Sequence, residues 1–123
     1  MPTRILLVGH CGVDGPRLQS ELVSCIDSAE VERVNSDADL RRACDEGAEL
    51  LLINREPLGF SPRRGVDLIQ ELRSQYPDQK LMLVSDYADA QEEARGAGAV
   101  PGVGKSDIGS PRFEETIRRA LGA

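Results

Sequence analysis

Short apolar runs alternate with longer amphipathic stretches from one end of the chain to the other. Ile5-Leu6-Leu7-Val8, Leu50-Leu51-Leu52-Ile53 and Leu81-Met82-Leu83-Val84 are unbroken by any polar residue, the pattern of strands buried on both faces. Between them, apolar residues return at three- and four-residue spacing. Leu18, Leu22, Cys25, Ile26 and Ala29 form one such stripe, Leu40, Ala43 and Cys44 a second, Val66, Ile69, Leu72 and Tyr76 a third, and Phe113, Ile117, Ala120 and Leu121 the last. Strands alternating with amphipathic helices predict an α/β domain: a five-stranded parallel sheet with helices on both faces.

The punctuation agrees with the period. Asp14-Gly15-Pro16 opens the first helix, and Ser36 with Asp39 three residues on has the form of a capping box, closed later by Gly47. The stretch Glu56 to Gly65, with Pro57, Gly59, Pro62 and Gly65, is the longest loop signal, and a helix follows from Val66 to about Tyr76. Ser110 and Pro111 supply the N-cap and first turn of the final helix. Strand one is expected over Arg4 to Val8, with a weak second strand in which Val31 and Val34 alternate. Asp89 to Ala97 reads as an alanine-rich helix with little apolar bulk, loosely held. Gly98, Pro101, Gly102 and Gly104 make the fifth strand poor.

At 123 residues the chain suits a single domain, residues 1–123. With two Phe, two Tyr and no Trp its core is expected to be aliphatic. A formal charge of −6 argues against nucleic acid, which needs a basic face, and Arg63-Arg64 and Arg118-Arg119 read as solvated pairs. Cys11, Cys25 and Cys44 form no Cys-x-x-Cys and cannot all pair, so no secreted disulfide framework is expected. No signal peptide precedes the first strand, and no apolar run approaches a membrane span. The expected location is cytoplasmic, away from membranes.

Reacting groups in an open parallel sheet gather beyond the carboxyl ends of the strands. Gly9, His10, Asn54, Ser85 and Lys105 would all sit there. The spacing of these strand ends, the Ala97-Gly98-Ala99 approach to strand five and the Lys at its end resemble the receiver domain of bacterial response regulators over nearly the whole chain. The resemblance implies the flavodoxin-like (CheY-like) doubly wound fold, strand order 2-1-3-4-5. It also implies that Gly9 and His10 stand where the family has its acidic pair, Asn54 where it has its phospho-accepting Asp, and Ser85 and Lys105 where it has its hydroxyl and Lys. Only those last two match.

Each departure has a chemical consequence. Mg²⁺ favours carboxylate oxygens in octahedral geometry, which Gly9 and His10 do not supply. The Asn54 amide is a far weaker nucleophile than a carboxylate. Neither metal binding nor aspartyl phosphorylation is expected, and Lys105 is expected to pair with Asp86 or Asp14, an anion from solvent being the alternative. The aromatic residue that the family places three positions before its Lys is Gly102 here, and the Pro that follows the Lys is Ser106. Trigger and lever are both missing.

Other readings compete. Ala99 to Ser106 looks like a P-loop, but the fold of such nucleotide binders needs a helix next and more chain than follows Lys105. His10, Cys11 and Asp14 are permissible metal ligands, though a solvent-facing loop His beside a small apolar Cys is the expected arrangement. A flavodoxin-like module binding a small molecule or anion would use Lys105, Ser85 and nearby helix N-termini. The reading adopted is a stand-alone receiver-like signalling domain, not an enzyme and without a cofactor. It is expected to act by protein–protein interaction through its last two helices and the strand between them, where apolar surface and mobile backbone are expected.

Overall fold

The three unbroken apolar runs form the centre of one parallel sheet in the computed structural model, which describes residues 2–60 and 63–122. They are β1 (Thr3–Val8), β3 (Leu50–Asn54) and β4 (Leu81–Val84), flanked by β2 (Ala29–Val34) and β5 (Val100–Val103) in the order β2-β1-β3-β4-β5. The expected fold and strand order are both present. Successive residues of a strand point to opposite faces, and here both faces are covered. Leu6, Val8, Leu51, Ile53, Leu81 and Leu83 pack beneath α2 (Asp37–Glu46), α3 (Gly65–Gln75) and α4 (Ala88–Gly96). Ile5, Leu7, Leu50, Leu52, Met82 and Val84 pack beneath α1 (Asp14–Cys25) and α5 (Pro111–Ala120). Each layer is otherwise aliphatic but holds one buried Phe, Phe60 in the first and Phe113 in the second. Burying such a side chain contributes about 1.5–3 kcal/mol.

The local signals act as their chemistry predicts. Ser36 Oγ accepts the Asp39 amide at 3.2 Å, and Gly47 closes α2 at φ 98°. Ser110 Oγ accepts the Phe113 amide at 3.3 Å, with Pro111 in the first turn of α5. Arg63 pairs with Asp37 and Glu71, and its guanidinium lies 5.7 Å from the Phe60 ring centre, tying the β3–α3 loop to α2 and α3. Pro62, one of the loop-marking residues, lies outside the described residues.

Three boundaries differ from expectation. Ala29 is not on the α1 stripe, because the helix ends at Cys25 and Ser28, at φ 57°, turns the chain into β2. Val31 and Val34 are three apart in a strand, so Val31 joins the α1–α5 layer and Val34 the opposite one. A 3₁₀ turn, Lys105–Asp107, follows β5.

β5 is irregular but held. Met82 pairs with Val100 and Val84 with Val103, so Pro101 and Gly102 together stand opposite Leu83. Pro101 has no N–H to give the ladder. The Gln91 side chain reaches over from α4 instead, its Nε2 lying 2.9 Å from Leu83 O, 3.0 Å from Ser85 O and 3.2 Å from Val103 O. Gly102 makes room for it, since a Cβ there would stand 2.4 Å from Gln91 Oε1. One glutamine thus links α4, expected to be loosely held, to β4 and β5. Among the described residues no helix is long and apolar enough to cross a membrane.

Candidate functional site

The carboxyl ends of β1, β3, β4 and β5 bring Gly9, His10, Asn54, Ser85 and Lys105 to one edge of the sheet. Gly9 has φ +72°, a backbone state that only glycine adopts cheaply. A Cβ on it would lie 2.4 Å from Pro57 Cβ and 2.8 Å from Leu58 N. The β3–α3 loop has folded into the space that a side chain at position 9 would fill. It is fastened there: Leu58 N–H donates to Gly9 O at 2.9 Å, and the Asn54 amide donates to Gly9 O at 3.0 Å and to Glu56 O at 3.2 Å. The Asn54 amide hydrogens thus tie the ends of β1 and β3 to the β3–α3 loop.

His10 is the main correction at this site. Instead of facing solvent it is 1% exposed, with Nε2 donating to Leu52 O at 2.9 Å. That bond leaves Nδ1 as the unprotonated nitrogen, buried without a partner. Burial pushes its pKa down to about 4, against the Leu52 carbonyl, which favours the cation; the charge of Lys105 lowers it further. His10 is therefore a neutral core residue around neutral pH. His10, Cys11 and Asp14 do not assemble as ligands, and among the described residues no group of three His, Cys, Asp or Glu is placed to hold a metal ion.

The other half of the edge is charged. Lys105 Nζ lies 3.0 Å from Asp14 Oδ2, one of its two expected partners, and this bond holds the Asp14 carboxyl below the usual carboxylate range. Lys105 is half-exposed rather than buried, so the pair is modest in energy. The other expected partner, Asp86, accepts the Ser106 amide at 3.1 Å and the Ser106 hydroxyl at 2.7 Å, which lowers its pKa. Asp107 accepts the Gly104 amide at 2.8 Å. Ser85 Oγ accepts the Tyr87 amide at 3.1 Å, the ordinary local role of a hydroxyl at a strand end.

A cleft of about 390 Å³ remains between β3 and β4, lined by Asn54, Arg55, Ser85, Asp86, Tyr87 and Lys105 among others. Arg55 lies 4.6 Å over the Tyr87 ring centre. Beside this cleft, the P-loop resemblance of Ala99 to Ser106 fails in context: a strand precedes Lys105, but a 3₁₀ turn rather than a helix opens at it, α5 beginning only at Pro111, and the Gly104 and Ser106 amides are bonded to the chain's own carboxylates. Pro57, Gln91 and the Asp86 and Asp107 clamps are the functional features that sequence reasoning missed. Gln91 left one trace, as the polar residue facing inward on an alanine-rich helix.

No protein-family model and no curated protein matches this sequence. Solved structures do match in shape. A putative response regulator from Chloroflexus aurantiacus superposes with TM-score 0.84 over 100% of both chains at 16% identity. The N-terminal signal receiver domain of a two-component response regulator from Bacteroides fragilis does so with TM-score 0.80 over 98% of both at 24% identity. NtrX from Brucella abortus aligns with TM-score 0.83 and 20% identity over 99% of this chain and 27% of its own. The fold is that of response-regulator receiver domains.

Proposed function

We propose that this chain is a receiver-like signalling domain that works by protein–protein interaction, without aspartyl phosphorylation or Mg²⁺ binding. The observation that carries this reading is the closure of β1 and β3 by Pro57 and Asn54. In a phosphorylatable site the acceptor oxygen must face a donor phosphoryl group and a metal held by acidic side chains. Here Pro57 occupies the volume over Gly9, His10 is turned into the core, and the Asn54 amide hydrogens are engaged by two carbonyls. A carboxylate at position 54 would have no hydrogen to give those carbonyls.

The anion-binding and nucleotide-binding alternatives lose support from the same edge. The amides that would receive an anion, Gly104 N and Ser106 N, are already bonded to Asp107 and Asp86, and Lys105 is held by Asp14. What is left to a domain of this fold is presentation of a surface, and the face formed by α4, β5 and α5 is the one we assign to a partner. Incubation with acetyl phosphate or phosphoramidate and Mg²⁺, followed by intact-mass measurement, tests the first half of the proposal. No acid-labile phosphoryl adduct is expected on the wild-type chain or on Asn54→Asp, and a stoichiometric adduct on the wild-type chain would overturn it.

A further inference from the structure

The α4–β5–α5 face differs from the apolar patch that the sequence suggested. Of the exposed large hydrophobic residues among those described, Val13, Val23 and Leu58 lie on other elements and Tyr87 only caps the start of α4. The face carries instead a groove of about 690 Å³ whose floor is Val100, Pro101 and Ala120 and whose rim includes Lys80, Arg95 and Arg112. Arg119 is also at the rim but pairs with Glu115 at 2.6 Å.

The rim cations are unusual for this chain. It has 15 Lys and Arg against 21 Asp and Glu, and nearly every cation has found a carboxylate or a backbone carbonyl. Among the described residues only Arg41, Lys80, Arg95 and Arg112 have neither within bonding distance. Three of these four border this one groove. Three unpartnered cations of a domain with an excess of acid thus line one groove together with Val100, Pro101 and Ala120, and Arg95, Gly102 and Arg112 also line an adjoining cleft with Asp86 and Asp107.

Resting on the interaction reading above, we propose that this groove receives an acidic segment of a partner protein, its carboxylates on Arg95 and Arg112 and an apolar side chain on Val100, Pro101 and Ala120. Charge complementarity sets the sign of the occupant, since only an anion relieves these arginines. A nucleic acid is disfavoured because the whole domain carries −6 and no aromatic side chain lines the groove to stack a base. Addition of a partner strand is disfavoured because β5 is the edge strand and Pro101 interrupts its donors. Recognition therefore runs through side chains.

The test is an NMR titration of the full chain with a short peptide alternating Glu and Leu, with its Glu→Gln and Glu→Lys counterparts and with a short oligothymidylate. Saturable shifts centred on Val100, Gly102 and the α5 amides are expected with the Glu peptide. Affinity should fall at least tenfold for the Gln peptide and for Arg95→Glu/Arg112→Glu, with Arg95→Lys/Arg112→Lys retaining most of it. Unmoved resonances, equal binding by the oligothymidylate, or an unaffected Glu double variant would each overturn the proposal. So would a dimer in sedimentation that the double variant abolishes, which would assign the groove to a second copy. If the peptide fails while other substitutions on α4 and α5 still remove a captured partner, the acidic-segment chemistry falls and the interaction reading stands. If no substitution on this face affects capture, both fall.

Discussion

The two halves of this sheet edge are organised in opposite ways. At β1 and β3 the strand ends are neutral and tied by the chain itself: Gly9 under Pro57, Asn54 bonded to two carbonyls, His10 buried as a neutral ring. At β4 and β5 it remains charged, with Asp86 and Asp107 satisfied by local amides and Lys105 by Asp14. Buried polar groups without partners are costly and exposed ones are not. The closed strand ends depend on partners within the chain, whereas the charged end can exchange its partners for water. Side chains should therefore matter for stability on the first half and for recognition on the second.

The sharpest way to break this contrast is to return a carboxylate to position 9. Gly9→Asp places a side chain against Pro57 and a charge in a closed space, and should cost roughly 3–5 kcal/mol in urea denaturation. Gly9→Ala should cost less, and Pro57→Gly in the same chain should recover part of that loss if Pro57 fills the site. A double-mutant cycle with no coupling between positions 9 and 57 would show that it does not.

The next largest effect is acid lability. His10, the chain's sole histidine, has a folded pKa lowered to about 4 from 6.5. The unfolded chain binds the proton first as pH falls, so the stability held above pH 6.5 is lost on the way down toward 4, by about 3 kcal/mol at roughly 1.36 kcal/mol per pH unit. Midpoints measured between pH 7 and 5 should slope in the wild-type chain and flatten in His10→Gln.

Asn54→Asp should cost about 1–3 kcal/mol, the penalty for leaving buried polar groups unmatched. An unchanged midpoint would mean that the loop carbonyls find water instead. On the charged half the effects shrink. Gln91→Met should cost about 1–2 kcal/mol and speed hydrogen exchange at the β5 amides, whereas Arg95→Ala should stay within about 0.5 kcal/mol of wild type. A large loss of stability in Arg95→Ala would erase the distinction between the two regions.

The layout was readable because periodicity carries it: unbroken apolar runs mark strands covered twice, and three-and-four spacing marks the faces of α1, α3 and α5. That Gly9 and Asn54 offer no carboxylate was readable from residue type alone. The contacts around them were hidden. Nothing adjacent in sequence links Gly9 to Pro57, or Gln91 to the carbonyls of Leu83 and Val103, since those contacts exist only once the sheet has formed. His10 was misread for the same reason. A lone histidine after a strand has no local signal of whether the ring turns outward or back toward Leu52. The unpaired cations of the α4–α5 groove were likewise invisible until ion pairing elsewhere had been assigned.

The seating of Pro57 over Gly9 also bears on which sequences are neighbours of this one. A single change toward an acidic site, at position 9 or at position 54, loses stability before it gains any chemistry, because the loop still occupies the space. The loop would have to be remodelled first, by a change that is itself neither acidic nor catalytic. On the reading proposed above, a gain of phosphoryl chemistry would need these changes in order, with the filled strand end acting as a ratchet.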